Sequence, residues 1–341
     1  QRMIERALAD ADLGDERLVS GLGDAVAFDV SIDGRTATVT VTLPIPSADL
    51  RTVLERTIVG VVENVNGIST VECRFQPDVS DAIERVDFLP EVKNLIAVAS
   101  GKGGVGKSTV AANLAAGLAD AGASVGLLDA DVYGPNAPTL LGLGDRTPDA
   151  TPDDMMVPRE AHGVKVMSME FIVGEDDPVI WRGPLVDEFI KQLFGDVEWG
   201  SLDYLLVDLP PGTGDAQLSL VQHLPVTGAV IVTTPQSVAV DDARRGLRGF
   251  ARYDVPILGI VENMSTFECP DCGSEHDIFG TGGAAALAEE FDVPVLGRIP
   301  TDPAVGTLTD DSADVEPPRS EEHTSELQSQ IDLVCRLLLE K

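Results

Sequence analysis

The chain has 341 residues and a formal net charge of −33, because 57 acidic residues face only 24 basic ones. Its hydrophobic content of 43% excludes a disordered acidic chain, which would lack the apolar residues needed for a core. The length allows one large domain or two smaller ones. Such a charge repels nucleic-acid backbones and anionic membranes at long range, so the composition disfavours a general DNA-binding or membrane-surface protein.

The basic residues are also unbalanced, with six lysines against eighteen arginines. Dense carboxylates stay hydrated in molar salt, where their mutual repulsion is screened. We therefore expect a halophilic protein, with an ordinary acidic protein as the alternative.

Cysteine usage bounds the compartment. Four cysteines are too few for a disulfide framework in a chain of this length, which favours a reducing environment. No signal peptide is recognisable, and no apolar run approaches the length of about 18 residues that a membrane span needs. We therefore expect a soluble, cytoplasmic protein.

Residues 1–85 are predicted to form a small α+β domain, followed by a linker over residues 86–93 that carries Pro90 and several charges. The predicted elements are a helix around Ile4 and Leu8, strands at Val26–Asp33 and Thr36–Thr42 around an Asp33-Gly34 turn, a helix at Leu50–Val65 and a strand at Ser69–Phe75.

From Asn94 onward, short apolar runs alternate with helical stretches. The runs are Leu95–Ala99, Val125–Asp129, Tyr204–Asp208, Ala229–Thr233 and Ile257–Val261. Runs that are apolar on both faces predict a mostly parallel sheet covered by helices on each side. We therefore expect residues 94–318 to form a larger α/β domain.

The C-terminal segment, residues 319–341, differs from the rest of the chain. Arg319–Ser329 resembles the translated sequence of a common DNA-sequencing adapter, and Ile331–Lys341 resembles what often follows such read-through. We expect a chimeric gene end here, with a genuine helix or an amphipathic membrane anchor as the alternatives. Cys335 is therefore assigned no function.

A phosphate-binding loop is predicted directly after the first apolar run. Residues 101–108 (GKGGVGKS) fit the pattern G-x-x-x-x-G-K-S, and a helical run over Ser108–Ala121 follows. Glycines let backbone N–H groups converge on phosphates, and the helix N-terminus adds a positive dipole end. Lys107 is expected to reach the β- and γ-phosphates, and the Ser108 hydroxyl to bind Mg²⁺. The motif predicts a nucleoside triphosphatase.

Lys102 makes this loop resemble the deviant Walker A loop of the ParA, MinD and nitrogenase-iron-protein class. In that class, the lysine after the first glycine crosses a dimer interface to the phosphates bound by the partner. The resemblance implies a homodimer that encloses ATP, with Lys102 acting in catalysis. A solvated loop lysine is the alternative.

Three carboxylates are candidates to serve Mg²⁺ and water. Asp129 and Asp131 end one apolar run and Asp208 ends the next, which is typical of a Walker B strand. We expect Asp131 to orient the attacking water, Asp129 to lie in the outer Mg²⁺ shell and Asp208 to hold Mg²⁺-bound water. Pro210-Pro211-Gly212 would form a switch that senses the γ-phosphate. A turn or cap role is the alternative for each acid.

Cys269 and Cys272 form a C-x-x-C pair whose role the residues leave open. A zinc site needs four ligands, and only His276 follows as a third candidate. A redox pair usually opens a helix after a strand, a context that is absent here. A buried structural pair is disfavoured by the neighbouring Pro, Asp and Gly. In a homodimer, four thiolates suit one bridging 4Fe–4S cluster or one shared zinc ion.

In combination, these motifs make residues 94–310 resemble the Mrp-type iron–sulfur cluster carrier ATPases. The blocks that carry the resemblance are GKGGVGKST (Gly101–Thr109), DADVYGPN (Asp129–Asn136), WRGPL (Trp181–Leu185), DYLLVDLPPGTGD (Asp203–Asp215), TTPQ (Thr233–Gln236), VENMS (Val261–Ser265) and CPDCG (Cys269–Gly273).

The resemblance implies a function for each site. The cysteine pair would hold a labile cluster that is passed to apo iron–sulfur proteins, and ATP turnover would couple to its loading or release. Asn263, Pro235 and Gln236 would line the adenine pocket. The nucleotide-binding loop would comprise Gly101, Lys102, Gly103, Gly104, Val105, Gly106, Lys107, Ser108 and Thr109.

The N-terminal unit resembles the small α/β domain that often precedes such ATPases. It departs at Leu43–Leu50, which has no cysteine where that domain commonly has a Cys-Pro turn. Cys73 lies on a later predicted strand and is expected in the core. A separate cluster-binding role for this domain is therefore not expected.

Two other functions share the predicted fold. A partitioning or cell-division-site ATPase would need a basic DNA-binding face or a membrane helix, and would not require the cysteine pair. An iron-protein-like reductase would also carry a bridging cluster, so only cluster transfer as opposed to electron transfer distinguishes it from a carrier.

Overall fold

The structure is a computed structural model that describes residues 1–9, 26–83, 86–89, 91–131, 134–143, 147–171, 191–213, 215–269 and 272–301. The predicted tail, 319–341, and the WRGPL block, Trp181–Leu185, lie outside the described residues. The chain divides into two compact units, one formed by Gln1–Ser80 with Asp120–Ala123 and one by Asp81–Ala119 with Ser124–Lys341.

The first unit contains the predicted hairpin and helices. Its elements are α1 (Arg2–Ala9), β1 (Ala27–Asp33), β2 (Thr36–Leu43), α2 (Ala48–Val62) and β3 (Thr70–Pro77). β2 is the central strand, antiparallel to β1 and parallel to β3. Gly34 takes a positive φ of 58° in the turn between β1 and β2. α2 begins two residues before the predicted position because the Ser47 hydroxyl accepts a hydrogen bond from the Leu50 N–H.

Cys73 lies half-buried on β3. Burial, and to a smaller extent the charge of Glu55, raise the pKa of its thiol. A raised pKa makes this thiol a poor ligand, because metals bind the thiolate.

The second unit is the predicted α/β structure. Its helices are α3 (Lys107–Asp120), α4 (Ala137–Leu140), α5 (Asp215–His223), α6 (Ser237–Arg252) and α7 (Gly283–Phe291). Its strands are β4 (Leu95–Ser100), β5 (Val125–Asp129), β6 (Arg159–Ala161), β7 (Val164–Ser168), β8 (Tyr204–Asp208), β9 (Gly228–Thr233), β10 (Ile257–Glu268), β11 (Glu275–His276) and β12 (Val295–Thr301).

Within the described residues, these nine strands form one sheet in the order β11-β10-β9-β4-β8-β5-β7-β6, with β12 also paired to β10. All pairs are parallel except β6–β7 and β10–β11. Every residue of β4, β5, β8 and β9 is buried, which confirms that these runs are covered on both faces. The mostly parallel sheet flanked by helices is therefore confirmed.

β10 differs most from its prediction. It was expected to end at Val261, but it continues to Glu268 because its far end pairs with β11 and its middle with β12. The strand therefore runs directly into Cys269.

The segment expected to be a linker packs against the larger unit. Leu89 and Val92 are buried in its hydrophobic core. Lys93 Nζ lies 2.9 Å from Asp203 Oδ1, and the Lys93 N–H donates to the Leu202 carbonyl. Proline and charge in this stretch indicated a connector. The contacts to Leu202 and Asp203 leave no local signal, because those residues lie more than a hundred positions away along the chain. Among the helices that the structure describes, none is both long and apolar enough to cross a bilayer.

Candidate functional site

The predicted phosphate loop joins β4 to α3 at the carboxyl edge of the sheet. Gly104 and Gly106 have φ values of 77° and 82°, which glycine adopts without the steric cost that a Cβ would bring. A Cβ on Gly101 would overlap the backbone of Asp242 in α6, so only glycine fits where that helix passes the loop. The end of β4, directly before the loop, also contacts the predicted switch, since the Gly212 N–H donates to the Ser100 carbonyl at 3.0 Å.

A buried lysine lies between two of the predicted carboxylates. Lys107 Nζ is 2.5 Å from Asp208 Oδ1, 3.7 Å from Asp131 Oδ2 and 3.5 Å from Ser108 Oγ. The exposed fractions of Lys107, Asp208 and Asp131 are 5%, 0% and 6%. The ammonium group therefore compensates buried negative charge at the position where a nucleotide would bring more.

Asp129 occupies the next strand end and is held by backbone donors. Its carboxylate accepts from the N–H groups of Asp131, Asn136 and Ala137 at 3.1, 2.8 and 2.9 Å. Burial, and then the charge of Asp208, raise the pKa of Asp129 to about 7. Burial also raises the pKa of Asp208, against the opposing effect of Lys107. The three buried carboxylates, Asp129, Asp131 and Asp208, thus have the single ammonium group of Lys107 close to them.

The donor set suits a magnesium ion. Asp208 Oδ2 is buried and has no hydrogen-bond partner in the described structure, whereas Oδ1 binds Lys107. A buried acceptor without a partner costs free energy, which a cation or its bound water would recover. The nearby oxygens of Ser108 and Asp129 are hard ligands of the kind that Mg²⁺ prefers. The residues present therefore fit the ion that the loop motif predicts.

The residues expected around adenine come from two adjacent strand ends. Glu262 of β10 is paired with Thr233 of β9, so Asn263 and Pro235 follow at the same edge of the sheet. The Asn263 amide donates to the Val105 carbonyl at 2.9 Å, which brings it against the phosphate loop itself. Gln236 precedes the first turn of α6.

The cysteine pair lies in a tight turn at the end of β10. The Cys269 N–H donates to the Ser274 carbonyl at 3.0 Å, and the Gly273 N–H donates to the Cys269 carbonyl at 2.8 Å. Cys272 is exposed and Cys269 half-buried. Hydrogen bonding, first of all to the Ser274 hydroxyl 3.3 Å away, lowers the pKa of the Cys272 thiol.

His276 does not complete a metal site with these thiols. It lies on β11 opposite Phe267, and the described part of the chain contains no group of three or more His, Cys, Asp or Glu side chains able to hold a metal ion. The cysteine turn thus offers two thiols, half of the four that a zinc ion or a 4Fe–4S cluster needs.

Sequence reasoning missed Glu262. This carboxylate is 2% exposed in β10, where it accepts from the Ala284 N–H at 2.8 Å and from Arg298 Nε at 3.2 Å. Its carboxylate thereby accepts from an N–H in the first turn of α7 and holds β10 in place next to Asn263. The available signal was a charged residue directly after the apolar run Ile257–Val261.

The strand, glycine loop and helix around Lys107, with Asp208 on the adjacent strand, define a P-loop NTPase. The family model described as ParA: NUBPL iron-transfer P-loop NTPase matches residues 91–336. The chain belongs to this family.

Named relatives agree with that assignment. The iron-sulfur cluster carrier protein of Synechocystis sp. is 48% identical over 278 residues, which cover 80% of this chain and 79% of the relative. The protein of the same name from Deinococcus radiodurans is 49% identical over 271 residues, covering 80% and 76%.

Solved structures share the fold. A nucleotide-binding protein from Archaeoglobus fulgidus, solved in complex with ADP, has a TM-score of 0.58 at 41% identity and covers 65% of this chain and 88% of its own. The cell division ATPase MinD of Pyrococcus furiosus has a TM-score of 0.52 at 25% identity and covers 72% and 99%.

Proposed function

We propose that this protein is an ATP-hydrolysing carrier of iron–sulfur clusters. It would bind a labile 4Fe–4S cluster between two copies of the chain and transfer it to apo iron–sulfur proteins. The observation that carries the proposal is the accessible pair Cys269 and Cys272, held at the end of the strand that also contacts the phosphate loop. Family membership and the names of the relatives support it.

The nucleotide site supports phosphoryl transfer by its own residues. Lys107 would exchange Asp208 for the β- and γ-phosphates, and the backbone N–H groups of the loop would bind their oxygens. Ser108, Asp208 and Asp129 would hold Mg²⁺ directly or through water; when bound, the ion supplies charge neutralisation at the phosphates.

Two further residues would complete the reaction. Asp131, beside Lys107 at the strand end, would orient the attacking water. Lys102 would reach the nucleotide of the partner subunit, which makes hydrolysis depend on the homodimer. Asn263, Pro235 and Gln236 would border the adenine.

The cluster is cargo and not a resident cofactor. A pair of thiols with one exposed member, whose pKa is lowered, is suited to binding iron as thiolate and to releasing it to another protein. Two chains together supply the four thiolates of a 4Fe–4S cluster.

Anaerobic reconstitution with iron and sulfide tests the proposal. The wild type should develop the broad visible absorbance of a 4Fe–4S centre, and Cys269→Ala/Cys272→Ala should lose it. Cys73→Ala is the matched control and should retain it. The loaded protein should then restore the absorbance of an apo-ferredoxin.

Other outcomes point to the competing functions. Zinc retained by the dimer without the visible absorbance, or a cluster that persists in the double variant, would contradict the carrier. ATP hydrolysis by a protein that binds no cluster after reconstitution would favour a positioning ATPase. The similarity to MinD supports this alternative. Electron delivery without cluster transfer would favour a reductase.

We also propose that the net charge of −33 is an adaptation to molar salt. Screening should then increase the free energy of unfolding. Circular dichroism should show a higher melting temperature in molar KCl than in dilute buffer, and equal stability in both would contradict the proposal.

A further inference from the structure

β10 connects the two sites described above. At one position along it, the Asn263 amide donates to the Val105 carbonyl of the phosphate loop at 2.9 Å. Asn263 also lies so close to Gly106 that a Cβ on that glycine would overlap its amide nitrogen. Six residues further along the chain, Cys269 begins the cysteine turn. A displacement of the strand between these points would therefore alter both sites.

The part of β10 that precedes its contact with the phosphate loop at Asn263 is held by many hydrogen bonds. Ile257–Glu262 is paired with β9, and the segment up to Asn263 is paired with β12. The buried Glu262 carboxylate adds hydrogen bonds from the Ala284 N–H and the Arg298 side chain. This half of the strand is fixed to the sheet and to α7.

The regular strand is interrupted at Met264. Its φ is 55°, in the left-handed region that residues other than glycine, asparagine and aspartate seldom adopt. Between the pairs Asn263–Ile299 and Phe267–Thr301, three residues of β10 lie opposite one residue of β12. This bulge redirects the strand immediately after the contact with the phosphate loop. Backbone strain of this kind persists only where surrounding contacts hold it.

The part of β10 beyond the bulge is held by fewer contacts. Phe267 pairs with Thr301 of β12 and with the two-residue strand β11, Glu268 pairs with β11, and backbone hydrogen bonds close the cysteine turn. Glu268, Cys272 and Ser274 are exposed. Among residues 265–269 only Ser265 is buried, so the cysteine turn can follow a change at Met264 with little repacking.

We propose that Met264 is a positioning residue, whose left-handed backbone sets the direction of the cysteine turn relative to the phosphate loop. Nucleotide bound beside Asn263 shifts this bulge and thereby changes the exposure of Cys269 and Cys272. The inference rests on the proposed function, because it joins the ATP site to the cargo site. It requires that the nucleotide interact differently with two arrangements of the bulge.

Thiol alkylation tests the connection without any cluster. In a parent variant with Cys73→Ser and Cys335→Ser, iodoacetamide can react only with Cys269 and Cys272. Their alkylation rates would be measured by mass spectrometry without nucleotide and with saturating Mg-ATP. We expect the nucleotide to change the rate about threefold, which corresponds to a modest coupling free energy.

Substitutions at Met264 separate the backbone from the side chain. Met264→Gly keeps the left-handed conformation accessible and should retain the nucleotide effect, whereas the β-branched side chain of Met264→Val disfavours it and should abolish the effect. Asp254 has the same φ of 55° after α6 and is the matched control. Asp254→Gly and Asp254→Val should both leave the nucleotide effect unchanged.

Several results would overturn the inference. They are an alkylation rate that Mg-ATP leaves unchanged in the parent, a nucleotide effect that survives in Met264→Val, or loss of the effect in Met264→Gly. Loss of the effect in Met264→Gly would overturn the inference even if Met264→Val does not fold. Cluster reconstitution and ATP hydrolysis in the parent are measured separately. If both are present while the alkylation rate does not respond, only the inference fails; if the pair binds no cluster, the proposed function fails.

Discussion

β10 contacts the phosphate loop through Asn263 and ends at the cysteine turn, yet the two sites are built in opposite ways. Around Lys107 the charged groups are buried and contact one another. Around Cys272 the side chains are exposed, and the backbone hydrogen bonds of a short turn hold the thiols. One site is formed before its ligand arrives, whereas the other leaves its reactive atoms accessible.

This difference follows from what each ligand requires. Buried charges interact strongly because the local dielectric is low, so a phosphate can be held and polarised only by groups already in position. Under the proposed function, a cluster that must leave again would not be enclosed in the same manner, because another protein would have to reach its iron atoms. We therefore expect large effects of substitutions in the phosphate loop, and small effects of substitutions beside the two thiols of the cysteine turn.

The largest effect is expected at Lys107. Lys107→Ala removes the buried ammonium group and should lower kcat for ATP hydrolysis by about a hundredfold or more, the usual result of deleting a group that stabilises transition-state charge. Release of phosphate from ATP is the measurement. Lys165, whose ammonium group donates to the Trp199 carbonyl, is the matched control, and Lys165→Ala should keep nearly full activity. Unimpaired turnover in Lys107→Ala would mean that the loop does not bind the phosphates.

The next effect compares two glycines of the same loop. Gly104 and Gly106 both have positive φ, so alanine at either position should destabilise the nucleotide-free protein by about 1–2 kcal/mol. A Cβ on Gly104 would meet no atom within 4 Å, whereas one on Gly106 would overlap Asn263. The Asn263 amide can move aside only by giving up its hydrogen bond to the Val105 carbonyl, so Gly106→Ala should cost about 0.5–1.5 kcal/mol more.

Urea unfolding of both variants measures this difference. Asn263→Ala removes the overlapping amide and should bring the cost of Gly106→Ala close to that of Gly104→Ala. Equal costs of the two alanine substitutions in the wild-type background would show that Asn263 is not packed against the loop.

A pH effect is expected from Asp129. Burial and Asp208 raise the pKa of this carboxyl from 3.8 to about 7 in the folded protein. The folded chain then keeps a proton that the unfolded chain has lost, so this group makes unfolding easier as the pH rises from about 4 to 7, by up to about 1.4 kcal/mol per pH unit.

Asp129→Asn should remove this part of the pH dependence. Urea unfolding without Mg²⁺ or nucleotide should show the wild type losing stability, relative to the variant, as the pH rises through this range. Asp153→Asn, at an exposed position, should follow the wild type. Parallel curves for wild type and Asp129→Asn would contradict the burial effect.

The sequence was most informative where the signal is local. Fully apolar runs predicted the central strands, and the glycine spacing predicted the turn before Lys107, because both patterns lie within a few neighbouring residues. Glu262 was missed because its partners, Ala284 and Arg298, lie 22 and 36 residues further along the chain. No local pattern states which distant groups a buried carboxylate will meet.

Two other features were beyond sequence reasoning for related reasons. The left-handed conformation of Met264 has no signal in its residue type, since methionine rarely adopts it. It lies at the bulge between two stretches of β10 that pair with β12, a strand formed further along the chain. The packing of residues 86–93 depends in the same way on Leu202 and Asp203.

The smallest effect is expected in the cysteine turn, at Ser274. Its hydroxyl, hydrogen-bonded to Cys272, is the largest cause of the lowered pKa of that thiol. A lowered pKa means that the thiolate is present at lower pH, so Ser274→Ala should move the pH profile of Cys272 alkylation to higher pH. Mass spectrometry can follow Cys272 alone. Ser274→Thr keeps a hydroxyl and should retain the wild-type profile, because the donor and not the small side chain matters. An unchanged profile in Ser274→Ala would show that the backbone of the turn, and not this hydroxyl, prepares the thiol.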